Sequence, residues 1–254
     1  MPRTQSVNVS PFAPVELQPL LTADGDKTNR CAVILDPDGI REQVGVVSND
    51  YKLISNRAVI DAAEEIIRNT DLQFKDHHTM WNGKQFRRRY ILPDLVREVQ
   101  VGDVVALALD IRNSFNGSLT VGIAFNMLRL ECENGLICCS LLGGFALKHL
   151  GDKNFETELN LASESILNLG QRLDNILPVF SEMTRKGMDR ADIQQFFRKT
   201  DLPMSSRAKI FDSIVDDSQW AVYNSATELF TQADTFHAEN MNRKVSDYFL
   251  MGQL

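Results

Sequence analysis

Between Lys75 and Leu92 five cations, Lys75, Lys84, Arg87, Arg88 and Arg89, stand against a single acid, Asp76. Three rings, Trp81, Phe86 and Tyr90, interleave with them, most densely in the run QFRRRY from Gln85 to Tyr90. Cations next to rings are what a polyanion with stackable bases requires, since phosphates need charge and bases need flat apolar faces. The same composition also fits a solvated sheet edge, where charges keep an unpaired strand from docking onto another chain. In a strand, Phe86, Arg88 and Tyr90 share one face, while Gln85, Arg87, Arg89 and Ile91 share the other. Arginines on both faces predict that neither face is fully buried.

A second donor-rich site falls at Arg112, Asn113, Ser114, Asn116 and Ser118. An Asn-Gly turn accounts for Asn116 and Gly117 through their tolerance of positive φ. Arg112, Asn113 and Ser114 remain candidates for contact with a backbone phosphate. Lys148 adds a further cation, and His149 beside it is either an acid–base or phosphate-binding group or a packed imidazole. Of Asp76, His77 and His78, at most one imidazole and the carboxylate share a strand face, and sequence supplies no further ligands for a metal that needs three or more, so they read as exposed polar strand residues. Asp110, Glu131 and Glu133 are the carboxylates beside sheet turns that could hold magnesium. Their spacing forms no recognisable cluster, so a metal-dependent nuclease ranks last.

The chain has no Walker loop, no GxGxxG after a strand and no nucleophile elbow. Gly143-Gly144 lacks the lysine of a phosphate cradle and reads as a bend or bulge. The expectation is therefore a non-enzymatic protein with no catalytic residues, no cofactor and no metal.

A formal net charge of −7 argues against coating duplex DNA through overall charge, yet it permits a local basic track. A hydrophobic content of 43% with 24% charged residues fits one or two globular domains. No apolar run approaches the roughly 20 residues that span a bilayer, so no membrane partner is expected. The opening MPRTQSVNVSPFAP lacks the apolar core of a signal peptide. Cys31, Cys132, Cys138 and Cys139 form neither a CxxC pair nor a disulfide framework, which suits reduced thiols in a cytoplasm.

Residues 1–30 are proline-rich and polar and read as an arm. Cys31 to Asp36 predicts a strand closed by Pro37-Asp38-Gly39, followed by strands at Val44–Val47 and Tyr51–Ile54. Ser55 or Asn56 then caps a helix to about Asn69, with Val59, Ala62, Ala63, Ile66 and Ile67 on one face. Hairpins follow around Trp81-Asn82-Gly83 (Leu72–Met80 with Lys84–Leu92) and around Asn116-Gly117 (Val104–Arg112 with Ser118–Leu130). Glu133-Asn134-Gly135 turns the chain into Leu136–Leu142. Beyond Gly151 the texture is helical. Ile166, Leu169, Leu173, Ile176, Phe180 and Met183 make a seam with Pro178 inside it, and helices follow at 189–199, 203–216, 218–236 and 238–250. The sum is an α+β fold: a twisted, mostly antiparallel sheet with a crossing helix over 31–152, then a helical C-terminal region, 153–254, packed on the core.

At the second hairpin, IRNSFNGSLTVGIAFNMLRLECENGL (111–136) resembles the phage/plasmid-like protein family, a domain of unknown function in phages, prophages and plasmids. The matching residues are Asn113, Ser114, Asn116, Gly117 and Ser118, then Arg129, Cys132, Asn134 and Gly135. GGFALKH (143–149) is similar to a further block, with Lys148 where the family has arginine. SQWAVYNSATELFTQ (218–232) resembles a third through Trp220, Tyr223, Asn224, Thr227 and Glu228. The resemblance implies a mobile-element setting. The layout is also similar to that of phage single-strand annealing proteins, which bind DNA strands as oligomeric rings without cofactor chemistry.

These readings lead to the expectation of a protein that binds or anneals single-stranded DNA in recombination or replication, working as a homo-oligomer. Lys84, Arg87, Arg88 and Arg89 would hold phosphates, and Trp81, Phe86 and Tyr90 would stack bases. Arg112, Asn113 and Lys148 complete the candidate set. The alternative is a non-catalytic interaction factor that acts on a phage or host protein, such as a defence or replication protein.

Overall fold

In the computed structural model, which describes residues 9–69, 72–130, 134–136, 142, 144–150, 157, 168–233 and 235–250, the period-two middle region forms a six-stranded antiparallel sheet. Its strands are β4 (Lys75–Trp81), β5 (Gln85–Gln100), β6 (Asp103–Ser114), β7 (Val121–Arg129), β8 (Asn134–Leu136) and β9 (Gly144–Leu147). They run in the order β4-β5-β6-β7-β8, and β9 shares the outer edge of β7 with β8. A three-stranded sheet, β1 (Val15–Leu21), β2 (Lys27–Leu35) and β3 (Glu42–Ser48), precedes it. The α+β expectation holds.

In chain order α1 (Asn56–Arg68) follows β3 and precedes β4, capped by the Ser55 side chain accepting from the Ala58 N–H. Val59, Ile60, Ala63, Ile66 and Ile67 recur at helical spacing and are buried. They meet the sheet face carrying Phe86, Tyr90, Leu109, Ile111, Ile123 and Phe125, which register pairing places side by side. The same apolar core continues into five more helices: α2 (Leu169–Met183), α3 (Arg190–Thr200), α4 (Met204–Ser213), α5 (Gln219–Gln232) and α6 (Phe236–Leu250). Leu169, Leu173, Ile176, Phe180 and Met183 of the expected seam are all buried on α2; Ile166 lies outside the described residues. Capping explains where α3 and α5 begin, with Asp189 in a reciprocal capping box and Ser218 accepting from Ala221.

Three sequence expectations change. Residues 15–21 are a strand paired to β2 from Val15↔Leu35 to Leu21↔Lys27, not part of a loose arm. Pro19 is tolerated because β1 lies at a sheet edge. Tyr51 to Ile54 is a connection rather than a strand. β5 runs on past Leu92 to Gln100, absorbing Pro93 at a register shift between Leu92 and Val96. Residues 1–8, Cys132, Cys138, Cys139 and Gly143 lie outside the described residues. Among the described residues, no helix is long and apolar enough to cross a membrane.

A second core, made of Val9, Cys31, Val33, Leu35, Val44, Val47, Tyr51 and Phe115, joins the small sheet to the β6–β7 tip. Contact there is close enough that a Cβ on Gly45 would lie 2.4 Å from the Phe115 carbonyl oxygen. Gly45→Ala must therefore push β3 off the tip, and overpacking of this kind costs about 1–3 kcal/mol. Urea unfolding should show that loss, and amide exchange should accelerate in β2 and β3 before β6.

Candidate nucleic-acid interface

Strand β5 buries two of its arginines. Arg87 and Arg89 are only 8% and 6% exposed. Arg89 lies opposite Asp110 of β6 and donates to both carboxylate oxygens, at 2.6 Å each. The Asn126 amide of β7 donates to the same carboxylate at 2.7 Å. Arg87 reaches Glu239 of α6 at 3.3 Å. Buried charges survive only when paired and hydrogen-bonded, and here each guanidinium has a facing carboxylate. The expectation that neither face of β5 is buried is thus corrected, and these two arginines are not surface phosphate contacts. Burial alone would raise the Asp110 carboxyl, but Arg89, Arg87 and the Asn126 amide outweigh it and hold it below the ordinary carboxylate range.

Phe86 and Tyr90 are core rings, which corrects their assignment as exposed stacking surfaces. The hydroxyl of Tyr90 donates to Glu64 of α1 at 2.9 Å. Arg88 is half-buried, lies 5.0 Å over the Tyr90 ring and pairs with the exposed Asp76. Asn113 is fully buried, with its amide donating to the Ile54 carbonyl and to Asn56, so it fixes the start of α1 instead of meeting a phosphate. Arg112 is half-buried and engaged within the protein. Trp81 keeps partial exposure while its Nε1–H donates to the Val9 carbonyl.

Lys84 and Lys148 do stand exposed, and the fold brings them to one place. The Phe115 N–H donates to the Lys84 carbonyl, so the β4–β5 turn lies against the β6–β7 tip. Val121↔Leu147 pairing sets Lys148 beside the same tip. The Lys52 N–H donates to the His149 carbonyl, adding a third exposed lysine that sequence reasoning missed. No local signal could have found Lys52, because its neighbour is 97 residues away. Tyr51 locks the arrangement by stacking on His149 at 4.6 Å and donating to the Ser114 carbonyl at 2.6 Å. Exposed Ser118, with Asn116 and Gln85 bonded to it, completes a polar tip ringed by Lys52, Lys84 and Lys148.

His149 is buried, and its Nδ1–H donates to the Lys52 carbonyl, which can only accept. Burial lowers its pKa, and that hydrogen bond offsets part of the effect. It is a packed imidazole. Among the described residues, no group of three His, Cys, Asp or Glu side chains could hold a metal, and Asp110 is committed to Arg89. Glu131 and Glu133 lie outside the described residues. His77 and His78 are half-buried on β4, where a register shift separates Asp76 from His78.

Two tests follow from this geometry. Replacing Arg89 by Met strands a buried carboxylate and should cost about 3–5 kcal/mol in urea unfolding, while adding Asp110→Leu should recover much of it. Acid should also act in two stages. The unfolded state takes up a proton on His149 near pH 6.5 that the folded state resists, so stability falls below that value. Asp110, depressed when folded, contributes fully above about pH 4 and loses that contribution as pH drops further. Unfolding free energies measured against pH should lose the first step in His149→Asn and the second in Asp110→Asn.

Several residues of the blocks that resemble a known family serve the interior, whereas Ser118 and Lys148 of the same blocks are exposed. Asp103 accepts from Arg129 at 2.6 Å and from the Trp220 indole at 2.7 Å, tying β6 and β7 to α5. Tyr223 bonds Ser246 of α6, Asn224 bonds the Trp220 carbonyl, and Thr227 bonds the Tyr223 carbonyl. No curated protein and no solved structure matches the chain significantly. A family profile does match over residues 43–248, most of the chain and all of its large sheet, α1 and nearly all of its helical region. The chain therefore belongs to the family described as Domain of unknown function (DUF932).

Proposed function

We propose that this protein binds single-stranded DNA, and as an oligomer anneals it, in the recombination or replication of a mobile element. The reading rests on one observation: Lys52, Lys84 and Lys148, from three separate segments, are exposed around a single hairpin tip. Their charges suit phosphates, while the Asn116 and Ser118 side chains are hydrogen-bonding groups that suit a sugar–phosphate backbone. Trp81, three residues before Lys84, offers a partly exposed ring for one base, and stacking favours single strands because their bases are free. The mobile-element setting draws on the resemblance of the 111–136 and 218–232 blocks to the phage/plasmid-like family. No step of this function uses a cofactor.

Three phosphate contacts predict a modest salt dependence, with the logarithm of affinity falling by about 2 per tenfold rise in salt, at roughly 0.7 per contact. Fluorescence anisotropy on a labelled single-stranded oligonucleotide measures that slope, with a duplex of the same sequence as the competitor. The triple variant Lys52→Ala, Lys84→Ala, Lys148→Ala should lose most binding at low salt with its stability unchanged. Full affinity in that variant, or no binding by the wild type at low salt, would overturn the reading.

A further inference from the structure

Helix α4 buries only Ile210 of its ten residues. On its outer side Met204, Ala208, Phe211 and, just beyond its end, Val215 follow steps of four, three and four, the spacing of a helix-docking seam. Met204 is 78% exposed, Phe211 47% and Val215 86%. An apolar row of this kind is what an unfilled interaction site looks like. Ile193 and Phe197 of α3 floor a groove of about 570 Å3 beside it. Three arginines, Arg190, Arg198 and Arg207, line the groove against one carboxylate, Asp212. In a chain of net charge −7, that local sign is reversed. Of the three, Arg207 alone takes part in an ion pair among the described residues, with Asp201 at 3.8 Å.

We propose that the α3–α4 groove binds an acidic amphipathic helix of a partner protein. Its apolar stripe would lie along Met204, Ala208 and Phe211, and its flanking carboxylates would meet Arg190 and Arg198. Helix-in-groove recognition reads apolar anchors at three- and four-residue steps, and α4 is about 15 Å long, enough for close to three turns of such a ligand. The guanidinium groups choose the sign of the partner, since like charge at a rim is costly and opposite charge speeds encounter. The surface is independent of the lysine-ringed tip, so either site can fail without the other.

The test uses the full chain and two labelled synthetic peptides of about 16 residues. Both carry leucines at helical a and d positions, one with glutamates on the flanks and one with lysines. Anisotropy should show the glutamate peptide binding at least tenfold tighter, with the preference shrinking as salt rises. Met204→Glu with Phe211→Glu should abolish binding of the glutamate peptide, and both positions are exposed enough to leave the fold intact. Arg190→Glu with Arg198→Glu should invert the preference toward the lysine peptide, a gain that misfolding cannot mimic. Equal binding of the two peptides would overturn the proposal, as would wild-type affinity in the groove variants. Displacement of the glutamate peptide by a single-stranded oligonucleotide would assign the groove to nucleic acid instead. Self-association that Met204→Glu abolishes would assign it to a second copy of this chain.

Discussion

The Arg89–Asp110 pair sets the constraint on which the large sheet depends. A buried guanidinium is tolerable only with a carboxylate at hydrogen-bonding distance, and Asp110 supplies one directly across the β5–β6 ladder. A slip of one residue would turn Asp110 to the other sheet face and leave two uncompensated charges in the interior. The pair therefore fixes register. Once β5 and β6 are in register, the turn before β5 must fall beside the tip after β6, which is how Lys84 comes to lie against Phe115. The polar face and the place of Lys84 beside the tip thus both follow from this charge pair, while Lys148 and Lys52 are placed by the β7–β9 pairing and the His149 contact.

That constraint also explains which parts of the structure were legible in the sequence. Elements governed by local rules were readable. Ser55 caps α1, Asn-Gly marks both hairpin tips, and the buried seam from Leu169 to Met183 has helical spacing. The fate of β5 was not readable, because it depends on partners far away in sequence. Arg87 meets Glu239 across 152 residues, the Phe86 ring packs edge-on against Phe12, and Tyr90 bonds Glu64 of α1, placements that no local pattern states. Strand β1 escaped notice for a different reason. Its half-exposed residues and Pro19 weaken the alternation that announces a strand, and only pairing with β2 holds it.

Motif and function part company for a related reason. Asn113, Ser114, Trp220, Asn224 and Thr227 carry the family resemblance, and each spends its hydrogen bonds inside the molecule. Buried polar groups must be satisfied by particular partners, so they tolerate few alternatives and make good signatures of a fold. The exposed lysines carry no such obligation. The buried members of these blocks thus hold the architecture together, while Ser118 and Lys148, in the same blocks, are exposed, and Lys52 and Lys84 lie outside them.

Counting charge along a strand also misjudges what a surface can offer. Of Lys84, Arg87, Arg88 and Arg89, the three arginines each face a carboxylate: Glu239, Asp76 and Asp110. Each field is offset by a carboxylate within a few ångströms, and for the buried Arg87 and Arg89 pairs solvent screens that attraction least. Lys84 is left to act outward, joined by lysines from two other segments. An acidic protein can thus expose several lysines near one tip without a basic stretch of sequence. The fold pairs off the clustered arginines and leaves exposed lysines from three segments near one hairpin tip, so counting charge along the sequence does not locate the outward-facing cations.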